Sequence, residues 1–327
     1  MKMAEGMIRA IALAAAALST LFVQTVARAQ DWPQRPVKLV LPFGAGSGAD
    51  TSARFIGEKL QKMLGKAIIV EPRPGGDSVV AINAVLNASD NHTFFFGPAS
   101  IFVMHPHRYA KLSYDFQRDF VPLAQVAATT LGFTVPSALP VKTLKEFIDY
   151  ARANPGKVSM TVAQGTSSMM LEAFIKEQNI DIAIVPYRDV VQAANDLAND
   201  RLQAVFSSLT MFQAGLQANR VRVIAISGER PNPHAPGAVP AVAQGYPRLG
   251  QEGIMGLFAP RSMDAEARNK MTAEFLNAIG EPDIAGRIAS IGLTFTPGGG
   301  GAFEETIRRQ IAEIAEIARV IGMKPTQ

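Results

Sequence analysis

The apolar positions of the chain alternate between two periods. Short runs of β-branched and aromatic residues predict strands, and apolar residues three or four apart predict helices. The first pair is clear, because Val37–Leu41 fits a buried strand and residues 50–64 fit a helix. The apolar face of that helix carries Ala53, Ile56, Leu60 and Met63, and Gly65 supplies the glycine that often follows a last helical turn.

The same alternation continues to the end of the chain. Further strands are predicted at residues 67–71, 93–96, 158–162, 182–185, 202–206, 221–226 and 254–259. Helices are predicted at 78–88, from the capping box of Thr143 and Glu146 to Pro155, from about 168 to 178, near 190–199, and in the C-terminal segment. Strands that alternate with helices predict an α/β fold, and we expect mostly parallel strand pairing.

The first 29 residues have the pattern of a secretory signal. Lys2 and Arg9 precede an apolar run, and Ala27-Arg28-Ala29 is a small-x-small cleavage pattern. We therefore predict export to the periplasm with cleavage near Ala29; a retained membrane anchor is the alternative. No later apolar run is long enough to span a membrane, and the chain has no cysteine.

Length and charge narrow the functional classes. The 327 residues suffice for two lobes, each with its own core. The formal net charge is +4, and it falls to +2 without the signal segment, which holds three basic residues and one acidic residue. Such balanced, scattered charge predicts neither a nucleic-acid partner nor an anionic membrane surface.

A glycine-rich turn at residues 43–50 joins the first predicted strand to the first predicted helix. Glycines allow a close backbone approach to a ligand, and a helix N-terminus presents unpaired N–H groups with partial positive charge. The turn therefore predicts an anion site. Asp50 is expected to be the helix N-cap rather than a ligand contact.

The same residues also fit a dinucleotide fingerprint. Gly44-x-Gly46-x-x-Ala49 follows a strand, and Glu71 ends the next strand, where an acid would bind a ribose. The alternative function is therefore an NAD(P)-binding oxidoreductase. An export signal disfavours it, because nicotinamide cofactors are scarce outside the cytoplasm.

Several motifs, taken in order, resemble one receptor family. They are Asp31-Trp32-Pro33 with the strand and turn that follow, Arg73-Pro74-Gly75, Pro106-x-x-Tyr109, Asp119-Phe120-x-Pro122, Pro155-Gly156-Lys157, Val185-Pro186-Tyr187-Arg188 and Ile321-Gly322. Together they resemble the Bug family, the periplasmic substrate-binding proteins of tripartite tricarboxylate transporters. The resemblance covers essentially the whole chain after the signal.

The resemblance implies a two-lobed periplasmic binding protein fold of type II-like topology with two crossing hinge strands. We expect lobe 1 at residues 30–129 and 253–327, lobe 2 at 130–252, and hinges near 127–132 and 253–257. It implies a receptor for a small carboxylate (an organic acid, dicarboxylate or carboxylated aromatic), with no catalysis, no cofactor and no metal. The expected partners are transporter permease subunits or a sensor kinase, and the expected state is a monomer.

The resemblance also implies that backbone amides from two loops hold the ligand carboxylate. The first loop maps to Phe43–Asp50 and the second to residues 163–168, where three hydroxyl groups are expected to add donors. The full set of expected ligand-binding residues is Phe43, Ala45, Gly46, Ser47, Gly48, Asp50, Thr51, Ser100, Gln164, Gly165, Thr166, Ser167, Ser168, Tyr187 and Ser207.

Some positions depart from the family pattern. Ala163 and Met169 replace a usual Gly and His in the second loop, Ser207 replaces a common Asp, and Asp189 replaces a usual Gly. The loss of that Asp, together with the gain of Met169 and Met170, favours a less polar acid over an amino acid. Met169 and Met170 also fit ordinary core packing, which is the more frequent role of methionine.

Other chemistry finds less support in the sequence. His105-Pro106-His107 places two histidines together without a cysteine or an evident third ligand, so a core or solvated pair is favoured over a metal site. Ser47 lies between two glycines but lacks the spacing of a hydrolase nucleophile elbow.

Overall fold

The computed structural model describes residues 32–163, 165–187 and 190–325. The elements given below lie in one compact unit, Arg35–Gln327. The predicted signal at 1–29 lies outside the described residues, as do Gln164 and Asp189. No helix of the described part is both long and apolar enough to cross a membrane.

The strands agree closely with the apolar runs of the sequence. They are β1 Val37–Leu41, β2 Ile68–Pro72, β3 Thr93–Pro98, β4 Phe120–Thr129, β5 Leu131–Pro136, β6 Ser159–Val162, β7 Ala183–Ile184, β8 Ala204–Ser208, β9 Val221–Ile226, β10 Gly253–Pro260 and β11 Thr294–Gly299. The predicted strands are all present, with ends that differ by a few residues. The sequence patterns missed β4, β5 and β11.

The helices connect these strands. They are α1 Gly48–Leu64, α2 Val79–Ala88, α3 Ser100–Arg108, α4 Phe116–Asp119, α5 Leu144–Ala153, α6 Thr166–Gln178, α7 Val190–Ala198, α8 Gln213–Gln217, α9 Ala265–Ile279, α10 Pro282–Ser290 and α11 Gly300–Ile321. Short 3₁₀ turns occur at Gly76–Ser78, Leu209–Phe212 and Pro247–Leu249. Helix α1 ends at Gly65 in the left-handed conformation, as its sequence predicts.

The strands form two separate sheets. The first has the order β11-β4-β10-β3-β1-β2, and the second has the order β7-β6-β8-β5-β9. The chain passes from the first sheet to the second at Thr130, between β4 and β5, and returns at Glu252, just before β10. The first passage lies inside the expected hinge 127–132, and the second directly precedes the expected hinge 253–257.

The expectation of mostly parallel pairing is wrong. Strands β1, β2 and β3 pair in parallel, as do β6, β7 and β8. However, β10 runs antiparallel to both β3 and β4, β11 runs antiparallel to β4, and β5 runs antiparallel to β8 and β9. The antiparallel pairs arise because each passage between the sheets adds a strand that runs against its parallel neighbours.

One apolar core runs through the packing of both sheets. Its members include Phe95 and Phe102 on the side of the first sheet, and Phe133 and Phe206 in the second. The ring of Phe102 contacts five other aromatic rings, those of Phe95, Tyr114, Phe116, Phe120 and Phe258. Met169 and Met170 belong to the same core and are 2% and 0% exposed. Their burial agrees with core packing.

The last helix, α11, packs against β4 of the first sheet and against α3 and α6. Its buried face includes Phe303, Ile307, Ile314 and Ile317. The repeating isoleucines thus pack α11 against its own sheet. Helix α11 also packs against α6, which follows strand β6 of the second sheet.

Candidate functional site

The first predicted loop lies at a change of direction in the first sheet. Strand β1 lies between β2 and β3, so the chain leaves β1 toward one neighbour and later returns to its other side. The carboxyl ends of β1 and β3 therefore border a crevice, the usual place for a ligand in an open α/β sheet. Phe43–Asp50 follows β1, and Ser100 begins the helix after β3, so the order of strands brings these predicted site residues to one edge.

The second sheet repeats this arrangement. Strand β6 lies between β7 and β8, with all three parallel. The loop 163–168 follows β6, and Ser207 lies near the carboxyl end of β8. Tyr187 comes after β7, at the outer side of the sheet. The predicted residues thus form two groups, each following the carboxyl ends of the parallel strands of one sheet.

The start of α1 differs from the sequence expectation. The helix begins at Gly48, and its N-cap is Ser47, whose Oγ accepts a hydrogen bond from the Asp50 N–H at 3.2 Å. The prediction that Asp50 is the N-cap is therefore wrong. The helix starts two residues earlier than expected, because Ser47 has extended backbone dihedrals and a hydroxyl group that meets the cap geometry.

Asp50 instead holds the shape of the loop. Its side chain is buried and accepts the Gly46 N–H at 2.9 Å, together with the Nε and Nη2 of Arg54 at 3.0 and 2.9 Å. The hydrogen bonds from Arg54 hold the pKa of Asp50 below its usual value, with a smaller contribution from the Gly46 N–H, while burial acts in the opposite direction. The carboxylate therefore stays charged and ties the glycine turn to the first turn of α1.

The outer part of this loop faces solvent. Phe43 is 41% exposed, and Ala45, Gly46 and Gly48 are also exposed, whereas Thr51 is half-buried. The first N–H groups of a helix have no partner within it. The Ser47 cap satisfies only the Asp50 N–H, so the N–H groups of Gly48 and Ala49 point out of the helix start. This arrangement suits an anion.

The second predicted loop also leads into a helix start, but this one lacks a side-chain cap. Gly165 precedes α6 with a φ of 103°, and no side chain caps the helix. Its first N–H groups belong to Thr166 and Ser167. The hydroxyl group of Ser167 donates to the Ala163 carbonyl and that of Ser168 donates to the Gly165 carbonyl, both at 2.7 Å. These two hydroxyl groups brace the loop, so the backbone and Thr166 are the better donors to a ligand.

Two further predicted residues already have partners within the protein. The Tyr187 hydroxyl donates to Asp196 Oδ2 at 2.8 Å, and burial followed by this bond raises the pKa of the phenol. Ser207 is buried, and its hydroxyl contacts the Met211 sulfur at 2.8 Å. Both side chains are therefore held in fixed positions.

Some residues near the two crevices had no sequence signal. A polar cluster lies where the chain passes between the sheets: Thr130 donates to Glu252 at 2.5 Å, and Asn232 donates to Thr130 and to Thr294 at 3.0 and 3.1 Å. Burial raises the pKa of Glu252. These residues are far apart in sequence and belong to no shared motif, so only the tertiary structure brings them together.

His105 of the histidine pair and Glu71, the acid of the dinucleotide alternative, both have local partners. His105 is fully buried, with Nδ1 2.7 Å from the Tyr114 hydroxyl group. Glu71 forms ion pairs with Lys38 and Arg73 at 3.4 and 2.5 Å. Burial alone would raise the pKa of Glu71, but these two cations outweigh it and lower the pKa. An acid paired in this way is a poor ribose ligand.

Comparison with known proteins assigns the family. The profile of the family described as "Tripartite tricarboxylate transporter family receptor" matches residues 52–323. The chain belongs to this receptor family. It is 30% identical over 293 residues to the UPF0065 protein in the tcbD-tcbE intergenic region of Pseudomonas sp. (strain P51), which covers 88% of this chain and 86% of that protein.

Several solved structures share the fold. Rpa4515 of R. palustris, solved with adipate, is 25% identical with a TM-score of 0.75, over 90% of this chain and 100% of that one. The periplasmic binding protein BugD is 20% identical with a TM-score of 0.72, over 90% and 100%. MatC of Rhodopseudomonas palustris, with bound malate, is 22% identical with a TM-score of 0.66, over 89% and 100%.

These likenesses confirm the Bug-family resemblance and the fold class. The chain has the two-lobed α/β fold of periplasmic binding proteins, and its family consists of solute-binding receptors. The family profile begins at residue 52, after the glycine-rich loop.

Proposed function

We propose that this chain is an exported receptor that captures a small carboxylate between its two lobes. The observation that carries the proposal is the repeated crevice: each sheet places a loop and an uncapped or partly capped helix start at the carboxyl ends of its parallel strands. Two such helix starts provide backbone donors and partial positive charge for an anion.

The proposed contacts come from both groups of residues. In the first lobe they are Phe43, Ala45, Gly46, Ser47, Gly48, Thr51 and Ser100, with Asp50 holding the loop. In the second they are Gln164, Gly165, Thr166, Ser167, Ser168, Tyr187 and Ser207. Exposed Phe43 would supply an apolar wall, which favours an acid with a carbon chain or ring over a strongly polar one.

The physiological role follows from the family. We infer that the signal segment is cleaved near Ala29 and that the monomeric protein delivers its ligand to membrane permease subunits of a tripartite tricarboxylate transporter. A sensor kinase is a second possible recipient of the same closed form. The adipate and malate bound by solved relatives support a small organic acid as the ligand class.

A thermal-shift experiment on the chain from residue 30 onward tests the ligand class. Malate, adipate, NAD and NADP are added separately. A ligand at about 100 times its Kd stabilises the folded state by about 2.7 kcal/mol, which corresponds to a rise in Tm of about 5–10 °C for a protein of this size. A response to an acid supports the receptor. A response to NAD or NADP alone would replace it with the oxidoreductase alternative.

A matched pair of variants tests whether the ligand binds at the start of α6. Thr166→Ala removes a hydroxyl group from the start of α6, and Thr272→Ala removes one that donates to a carbonyl within α9. Isothermal titration should show weaker binding of the responding acid only for Thr166→Ala. Equal affinities for both variants would exclude the Thr166 hydroxyl group as a ligand contact.

A further inference from the structure

The turn between α10 and β11 contacts the second lobe at one glycine. Gly292 has a φ of 78°, and a Cβ built on it would lie 1.8 Å from Cγ2 of Thr210 and 2.9 Å from its Cβ. Thr210 belongs to the 3₁₀ turn Leu209–Phe212, directly after β8. The Thr210 side chain therefore lies so close to the Gly292 backbone that a side chain at position 292 would have to displace it.

The next residue lies beside the first predicted ligand loop. Cδ1 of Leu293 is 3.9 Å from the point that a Cβ on Gly48, the first residue of α1, would occupy. Gly292 and Leu293 thus lie next to both sides of the proposed cleft. On one side is the helix start of the first lobe, and on the other is the segment that follows Ser207 and Ser208 in the second lobe.

The third residue of the segment joins the polar cluster at the passages between the sheets. Thr294 Oγ1 accepts a hydrogen bond from Asn232 at 3.1 Å and lies 3.4 Å from Thr130 Oγ1. Thr130 in turn donates to Glu252 at 2.5 Å. Residues 292–294 therefore lie, in succession, against the second lobe, beside the first predicted ligand loop and against the first passage of the chain at Thr130.

We propose that Gly292–Thr294 is the stop that sets how far the two lobes close, and that Gly292 is a positioning residue for ligand capture. Packed interfaces are not continuously compressible, so a methyl group at position 292 has to displace Thr210. That displacement widens the cleft between the α1 start and the end of β8. The inference on ligand affinity rests on the proposed function, whereas the inference on lobe separation does not.

The substitution Gly292→Ala tests the stop, with Gly65→Ala as its control. Gly65 has a φ of 64°, close to that of Gly292, but no atom lies within 4 Å of its Cβ position. Both variants therefore carry the backbone strain of a left-handed alanine, and only Gly292→Ala adds the contact with Thr210. Isothermal titration with malate and with the longer adipate should show binding at least about tenfold weaker for Gly292→Ala, with malate affected more than adipate. Gly65→Ala should change either affinity by less than about twofold.

A second substitution provides the rescue. Thr210→Ala removes the Cγ2 that a methyl group at position 292 would meet. The double variant Gly292→Ala/Thr210→Ala should recover most of the lost affinity, and Thr210→Ala alone should bind normally. If Gly292→Ala fails to fold, Thr210→Phe places the added bulk on the opposite side of the contact and should weaken binding in the same order of ligands.

A distance measurement decides the inference without any ligand. The chain has no cysteine, so spin labels can be attached specifically to Gln61→Cys on α1 and Lys157→Cys before β6, both exposed positions. In the ligand-free protein, Gly292→Ala should shift the distance distribution relative to the unsubstituted and Gly65→Ala proteins. Unchanged distances overturn the stop. Failure of the unsubstituted protein to bind either acid, with shifted distances, overturns only the assignment of these acids as ligands.

Discussion

Replacing Asp50 tests whether a buried carboxylate holds the glycine-rich loop. Asp50→Asn keeps the side-chain shape but removes the charge that accepts the Gly46 N–H and the two Arg54 bonds. The Arg54 side chain is 52% exposed, so solvent screens its ion pair, and its contribution to stability is smaller than its effect on the pKa of Asp50 suggests. The bond from the Gly46 N–H reaches a carboxylate that is 4% exposed and is screened less.

A hydrogen bond to a charged group contributes about 1.5–3 kcal/mol to stability. We therefore expect Asp50→Asn to lower the free energy of unfolding by about 2 kcal/mol and Tm by about 4–8 °C. The control is Asp149→Asn in α5, which removes an exposed ion pair with Lys145 and no backbone bond. Its effect on the urea midpoint should be near the error of measurement, because exposed ion pairs contribute little.

The pH dependence of the free energy of unfolding tests the same prediction. The pKa of Asp50 is lowered in the folded state, so its stabilisation is fully present above the usual value of 3.8 and is lost as pH falls through the folded value. Urea denaturation curves of the unsubstituted protein and of Asp50→Asn should therefore converge in acid. Equal midpoints for Asp50→Asn and Asp149→Asn at neutral pH would refute the reasoning, as would a difference that grows in acid.

Three further predictions concern other positions. Burial raises the pKa of Glu252 above 4.5, so the contribution of this residue to stability is full below pH 4.5 and is lost as pH rises through the pKa of the folded state. In urea denaturation, the stability of Glu252→Gln should therefore increase relative to that of the unsubstituted protein as pH rises. Phe43→Ala should weaken binding of the acid in titration and change the free energy of unfolding by no more than about 0.5 kcal/mol. Phe102→Ala should lower the free energy of unfolding by about 3–5 kcal/mol, because this side chain is buried in the core. A larger loss of stability for Phe43→Ala than for Phe102→Ala would contradict the assignment of the core. Gly256→Ala should lower the free energy of unfolding by about 1–3 kcal/mol, because its Cβ would lie 2.2 Å from a carbonyl oxygen. Gly301→Ala should stabilise helix α11 by about 0.5 kcal/mol, because no atom lies within 4 Å of its Cβ position. Thermal unfolding measures both changes.

The continuous core bears on how such a receptor can move. Helix α6 begins at the second predicted loop, and it packs against α3 and α11 of the first lobe. Its buried Met169 and Met170 belong to the same apolar core as residues of α3 and α11. Closure of the lobes is therefore expected to turn about the polar passages at Thr130 and Glu252, while this apolar contact stays packed.

The sequence by itself determined the local elements and the class of protein. The strand β1, the glycine end of α1 and the capping of α5 by Thr143 all follow from short-range rules, and each is found as predicted. The spaced motifs pointed to the receptor family because several of them occur in order. Both candidate loops were recognisable from glycine and hydroxyl residues between a strand and a helix.

The tertiary structure decided what depends on distant contacts. Strand β11 lacks a long apolar run, and its pairing with β4 is set by the return of the chain from α10. The role of Asp50 was missed because the sequence cannot show which of two nearby polar residues, Ser47 or Asp50, reaches the cap geometry. The contact of Gly292 with Thr210 and the burial of Glu252 join segments far apart in the chain, and such contacts leave no periodic pattern, because only the packed fold brings them together.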